Sequence, residues 1–193
     1  MPTLIARHTV EQYYDVEYSS DLRYEYIDGQ TIEMDCESAN HNDIVMNLLG
    51  AAFNILGRDY HRISLGRIRL KVAEPRSYLH PDLSIAPKPG EYEPDRSDTL
   101  CNPQVVFEVL SSSTEKNDRG LKFELYQQIP SLDEYLLISQ EEALVERFVR
   151  RRGRRWSGER YEGLQSEVTI ATLKWKLPLS ELYADIEFRH DQD

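Results

Sequence analysis

The sequence contains no apolar run approaching the roughly 18 residues of a membrane-spanning helix, and its opening segment, MPTLIARHTVEQYYD, lacks the apolar core of a secretory leader. The expectation is a soluble, cytoplasmic protein with no membrane association. Cysteine is scarce. Cys36 and Cys101 are far apart and outside any CxxC or Cys/His cluster, so neither a disulfide framework nor a zinc site is indicated. Glycine and proline, nine of each, are too few for a low-complexity or collagen-like chain. An excess of positive charge is also missing. The net charge of -11 argues against nucleic-acid binding through overall charge, because neutralising phosphates takes clustered Lys and Arg. Two local clusters run against the average: Arg147, Arg150, Arg151, Arg152, Arg154, Arg155 and Arg160, and Arg58, Arg62, Arg67, Arg69, Lys71 and Arg76. A basic face on an acidic body is compatible with them.

What is present is an ordinary globular composition, 40% hydrophobic and 30% charged in 193 residues, enough for one core and short for two. With no repeat and no linker, residues 1–193 are expected to form a single domain. Thr9 to about Tyr18 has helical spacing through Val10, Tyr13 and Tyr14, with Thr9 as N-cap. Tyr24 to Met34 reads as a β-hairpin around Asp28-Gly29, a strong two-residue turn signal. From Ser38 to Gly57, Ile44, Val45, Leu48, Leu49, Ala52, Phe53 and Leu56 mark a long amphipathic helix. His61 to Val72 alternates as one strand with a bulge near Gly66.

Leu83–Ala86 and Val105–Leu110 are compact apolar runs, suited to central strands covered on both faces. KPGEYEPDRSDT between them reads as a surface loop. A helix from about Asp118 to Gln128, a buried strand over Glu134–Ser139, a hairpin around Gly153, a strand near Val168–Ile170 and a short helix at Leu179–Ala184 complete the chain. The order implies an α/β fold with a mixed central sheet flanked by helices.

Two residues break the apolar pattern. Asp82 opens one buried strand and Glu108 sits inside the other, in FEVL. Buried carboxylates are costly unless a cation neutralises them. If the strands pair, both side chains enter one pocket, with oxygen ligands suited to a hard divalent ion such as magnesium. Lys122 follows on the next helix, four residues from both Asp118 and Tyr126 and therefore on one face with them.

YEYIDGQTIEM, His41 early in a long helix, HPDLSIAP, and PQVVFEVLSSSTEKNDRGLKFELYQQIPSLDEYLLIS, taken in order, resemble the Uma2 family of restriction-endonuclease-like proteins. The resemblance implies a PD-(D/E)xK nuclease fold, Mg2+ or Mn2+ as cofactor, nucleic acid (DNA before RNA) as partner, and a site of Asp82, Glu108 and Lys122. The metal would be held by Asp82, Glu108 and the carbonyl of Val109. The usual lysine position, two residues after the acidic one, holds Leu110, and Lys122 is the migrated replacement. Glu25 and His41 match further positions of the family pattern. Glu25 would ligate the metal or orient a water, and His41 would hold Glu25 or the scissile phosphate. A homodimer fits cleavage of two strands.

Plainer readings stand beside these. Asp82 ends a loop, Glu108 pairs with a buried Arg, Asp118 caps a helix, Tyr126 fills core, and His41 caps a helix or lies on the surface. Glu25 makes an exposed cross-strand pair near Arg23. The arginine run is a solvated hairpin tip, and Trp156 packs on a sheet rather than on a base. For the whole protein, the alternatives are a nuclease-like binder that does not cut and, more remotely, a glycosidase using the two carboxylates as acid and base.

Overall fold

The computed structural model describes residues 3–34, 37–57, 60–152 and 155–188. The chain opens with a strand that the helix-first reading missed, β1 (Thr3–Arg7), which pairs antiparallel with β3. Helix α1 (Val10–Ser19) starts at Thr9, where Thr9 and Gln12 form a capping box, and buries Tyr13 and Tyr14. β2 (Tyr24–Ile27) and β3 (Gln30–Glu33) form the expected hairpin. Its turn needs left-handed backbone at both central residues, and Asp28 (φ 46°) and Gly29 (φ 82°) supply it. Helix α2 (Ala39–Leu56) is capped by Ser38, whose side chain accepts from the His41 amide, and it ends at Gly57. It buries the stripe His41, Ile44, Leu48, Ala51 and Ala52.

The single bulged strand expected over His61–Val72 is instead two strands in different sheets, β4 (His61–Leu65) and β5 (Arg69–Val72). The irregularity at Gly66 is a crossover. A side chain there would begin 2.5 Å from an Arg23 guanidinium nitrogen, and the Gly66 carbonyl accepts from His80 Nδ1 at 2.6 Å. β6 (Ser77–Leu79), β7 (Leu83–Pro87) and β8 (Thr99–Leu100) follow, then β9 (Val105–Leu110). The loop before β8 is not wholly solvated, since Glu93 folds inward under Tyr14 and Tyr78.

After β9 come α3 (Glu115–Asn117), a π-helical turn (Asp118–Lys122) and α4 (Phe123–Tyr126). β10 (Glu134–Ser139), β11 (Leu144–Arg150) and β12 (Trp156–Glu162) continue the main sheet. β11 and β12 pair as a hairpin, while Gly153 at its expected tip lies outside the described residues. β13 (Glu167–Ile170) and β14 (Trp175–Pro178) pair with each other, and α5 (Leu179–Leu182) ends the described elements.

One sheet runs β12-β11-β10-β9-β7-β4, parallel only between β9 and β10; the other runs β1-β3-β2-β6-β5-β8, parallel only between β5 and β8. The side-chain alternation of β9 divides the core. Val105, Phe107 and Val109 pack beneath α2, β14 and α5, with Trp175 against Phe107 at 6.2 Å. Val106 and Leu110 face the second sheet and α4, meeting Leu70, Val72, Leu79, Leu125 and Tyr126. The mixed central sheet is as expected, but a second sheet, together with α4, covers one of its faces. Glu108 points into that sheet-to-sheet layer by the same alternation.

Candidate active site

The register of β7 against β9 pairs Leu83 with Phe107, which sets Asp82, one residue earlier, beside Glu108. Asp82 is held at both oxygens. Oδ2 accepts the Val109 amide at 2.6 Å, and Oδ1 lies 3.0 Å from His41 Nε2. Glu108, 3% exposed, accepts from the Tyr126 hydroxyl at 2.8 Å and pairs with Lys122 Nζ at 2.9 Å.

Lys122 reaches that layer because of the π-turn. The wider turn sets Asp118 and Lys122 on the inward side, both buried, while Arg119 points to solvent. Lys122 Nζ also pairs with Glu25 Oε1 at 3.2 Å and with Asp118 Oδ1 at 3.3 Å. Glu25, on β2, accepts the His80 amide at 3.2 Å as well. The structure therefore brings Glu25, His41, Asp82, Glu108 and Lys122 to one cavity of about 60 Å³ between the sheets. His41 contacts Asp82 and not Glu25, and both His41 and Glu25 are buried, so neither occupies the exposed position of its plainer reading.

Asp118 is no helix N-cap. Thr114 occupies that position, and Asp118 is inside the π-turn, paired with Lys122. Tyr126 is core, as its plainer reading has it, and in addition orients Glu108. Glu37 also lines the cavity, held by Arg23 at 2.9 Å. Nothing in the local sequence marks it, and for Asp118 the four-residue spacing to Lys122 gives a shared face while the residue type favours a cap.

Burial pushes the Glu108 carboxyl well above the ordinary range; Lys122 pulls it back while Asp118 and Asp82 push it further. Burial would lower Lys122, but Glu108, Glu25 and Asp118 outweigh it and hold the ammonium charged, well above its usual value. Burial likewise opposes protonation of His41, yet the Asp82 hydrogen bond and charge, with Glu37 and Asp118, raise it. Asp118 is raised chiefly by burial. Among the described residues, Glu25, Glu33, Glu37, Asp82, Glu108 and Asp118 line the cavity with Lys122, His41 and His80 as its basic groups, and Arg23 pairs with Glu37. An enclosed set rich in carboxylate oxygen and short of positive charge fits a hard divalent cation.

The profile of the Uma2 family, described as "Putative restriction endonuclease", matches residues 10–180. The chain belongs to the Uma2 family. It is 31% identical over 166 residues to the uncharacterized protein sll1609 of Synechocystis sp., covering 86% of this chain and 94% of that one. It is 36% identical over 131 residues to slr1290 of the same organism, also uncharacterized, covering 67% of each. The crystal structure of a "putative nuclease belonging to DUF820" from Anabaena variabilis superimposes with a TM-score of 0.73 over 92% of this chain and 98% of that one, at 16% identity. Uma2 membership and the nuclease-like fold thus rest on both sequence and architecture.

In this Uma2 protein two members of the later arginine cluster, Arg147 and Arg150, are engaged internally. Arg147 is buried between Glu134 (2.6 Å) and Glu159 (2.8 Å). Arg150 donates to the carbonyls of Gln127, Ile129 and Leu132 and lies 4.7 Å over the Trp156 ring. Arg160 pairs with Glu162, and Trp156 packs edge-on against Phe123 at 5.5 Å. The Trp is therefore a packing residue, and Arg154 lies outside the described residues.

Proposed function

We propose that this Uma2 protein is a metal-dependent endonuclease that hydrolyses phosphodiester bonds of DNA in the cytoplasm, using Mg2+ or Mn2+. The observation that carries the reading is the convergence of Asp82, Glu108 and Lys122, from two adjacent strands and a π-turn, on one carboxylate-rich cavity in a chain of this family. Asp82, Glu108 and the Val109 carbonyl would hold the ion. A divalent ion so held supplies a Lewis acid that lowers the pKa of water and offsets charge on the phosphoryl oxygens.

The remaining roles belong to side chains. Tyr126 fixes Glu108 and His41 fixes Asp82, so each carboxylate presents one orientation to the cavity. The Lys122 ammonium, within hydrogen-bond reach of Glu108, orients the attacking water and offsets the negative charge that develops in the transition state. Glu25 and Asp118 keep that ammonium charged and aimed. Leu110 at the usual lysine position is consistent with this assignment, because its side chain packs among Val106 and Tyr126 in the apolar layer. Two copies cut both strands as a homodimer.

The test is cleavage of supercoiled plasmid with Mg2+ or Mn2+, comparing wild type with Asp82→Ala, Glu108→Ala and Lys122→Ala. Each variant should lose about 100-fold or more of a metal-dependent activity. The engagement of Lys122 by three carboxylates favours a second reading, a nuclease-like binder that does not cut. Metal and nucleic acid bound by the wild type without any cleavage would select it.

A further inference from the structure

Glu37, His41 and Asp82 offer three ligand atoms that all lie within 4.8 Å of one another. They come from the residue before the α2 cap, the first turn of α2, and the entry to β7. His41 Nε2 stands 3.0 Å from Asp82 Oδ1 and 3.8 Å from Glu37 Oε2. Ligands bonded at about 2.1 Å to a divalent ion are separated by roughly 3–3.5 Å across an octahedral or tetrahedral edge, so the triad needs little movement to close on one ion. Arg23 holds the other oxygen of Glu37 at 2.9 Å, leaving Oε2 turned toward the imidazole.

A second observation points into the same cavity. Asp118 Oδ1 is buried and accepts no hydrogen bond, its nearest cation being Lys122 at 3.3 Å, and Asp118 lines the cavity together with the triad. The carboxylates lining the space, Glu25, Glu33, Glu37, Asp82, Glu108 and Asp118, outnumber its basic groups, Lys122, His41 and His80, among the described residues. The cavity volume of about 60 Å³ admits an ion with one or two waters.

We propose that Glu37, His41 and Asp82 form a cation site on the α2 side of the cavity, sharing Asp82, and the His41 that orients it, with the proposed catalytic set. Imidazole nitrogen as a ligand selects a transition divalent ion over Mg2+, which prefers an all-oxygen shell. This deepens the nuclease reading by naming the class of ion, and it rests on that reading only through the shared Asp82 and His41. Its consequence is that the protein holds Mn2+ in the presence of excess Mg2+.

The experiment is Mn2+ binding to the full chain followed by electron paramagnetic resonance, with Mg2+ as competitor. Glu37→Gln, His41→Gln and Glu108→Gln are compared with wild type. Pulsed measurements should detect nitrogen modulation from a coordinated imidazole in the wild type and none in His41→Gln. His41→Gln and Glu37→Gln should each weaken the imidazole-coordinated Mn2+ by at least about tenfold, while Glu108→Gln, which removes a ligand of the proposed catalytic ion, should keep the nitrogen-modulated signal. Glu37 is partly exposed, so its variant keeps the test intact if His41→Gln folds poorly. Wild-type affinity in Glu37→Gln, absence of nitrogen modulation in the wild type, or loss of that modulation in Glu108→Gln overturns the site. Plasmid cleavage that survives those outcomes leaves the nuclease reading standing, and cleavage that never occurs leaves the Mn2+ site untouched.

Discussion

At the scale of single residues, a buried charge in this molecule can be held by a closed set of partners. Glu93 is an example away from the cavity. It accepts from Lys71 at 2.6 Å and from the Tyr78 and Tyr14 hydroxyls at 3.1 and 3.2 Å, beneath a cluster of stacked tyrosines. Burial alone would raise its pKa, but Lys71 and the two hydroxyls outweigh it and hold the carboxyl below its ordinary 4.5. A carboxyl depressed in the folded state stabilises the protein fully above the unfolded value, and that contribution is lost as pH falls through the folded value. Glu93→Gln should therefore cost about 1–2 kcal/mol near neutral pH, and the deficit should shrink as the pH drops below about 4.5. Urea titrations of both proteins from pH 7 to pH 3 measure it; parallel curves at all pH values would disprove it.

At the scale of elements, the π-turn decides where the site's only lysine points. An α-helix advances about 100° per residue, and a π-turn is an α-helix with one residue inserted. Gly120 lies within that turn, and a side chain there would meet nothing within 4 Å. Deleting Gly120 should restore regular α-geometry at little cost to the fold, leave Asp118 and Lys122 three residues apart and still neighbours, and shift Lys122 Nζ relative to Glu108 and Glu25. The expected result is a folded protein, judged by circular dichroism, whose plasmid cleavage falls as far as that of Lys122→Ala. Full activity in the deletion variant would show that Lys122 does not need the turn.

Periodicity recognised the helix around Lys122 and the residues sharing its face, but no composition signal marks an i to i+5 turn, so the buried role of Asp118 stayed hidden behind a capping preference. The same limit applied at Gly66. Alternation continues through His61–Val72 because both β4 and β5 are amphipathic strands, and only the tertiary contact with Arg23 reveals that they belong to different sheets. By contrast, Asp82 and Glu108 were legible because a carboxylate inside an apolar run needs a partner wherever it lies. The burial of Glu25 was not, since a short hairpin strand looks the same whether a second sheet covers it or water does.

At the scale of the whole molecule, the charge balance of -11 and the internal use of Arg147 and Arg150 reduce the cations presented to a phosphate backbone, and the exposed Arg160 is paired with Glu162. Binding to duplex DNA in the presence of divalent ion should show a shallow salt dependence, with log K falling against log salt by a slope of no more than about 3. A slope of about 6 or steeper, measured by fluorescence anisotropy, would require a basic surface that the pairing of these arginines does not supply. Recognition is then expected to depend on the cavity and its ion more than on electrostatic attraction at long range.

The ion pair between Glu25 and Lys122 joins the first hairpin to a helical turn nearly 100 residues later. Around it, Asp82 ties its side chain to the backbone of the neighbouring strand. No fragment of the polypeptide owns the cavity, and none can assemble it ahead of the rest. On the proposed reading, a growing chain on the ribosome has no assembled site until the segment through Tyr126 has emerged, and any cutting of nucleic acid would wait on that closure.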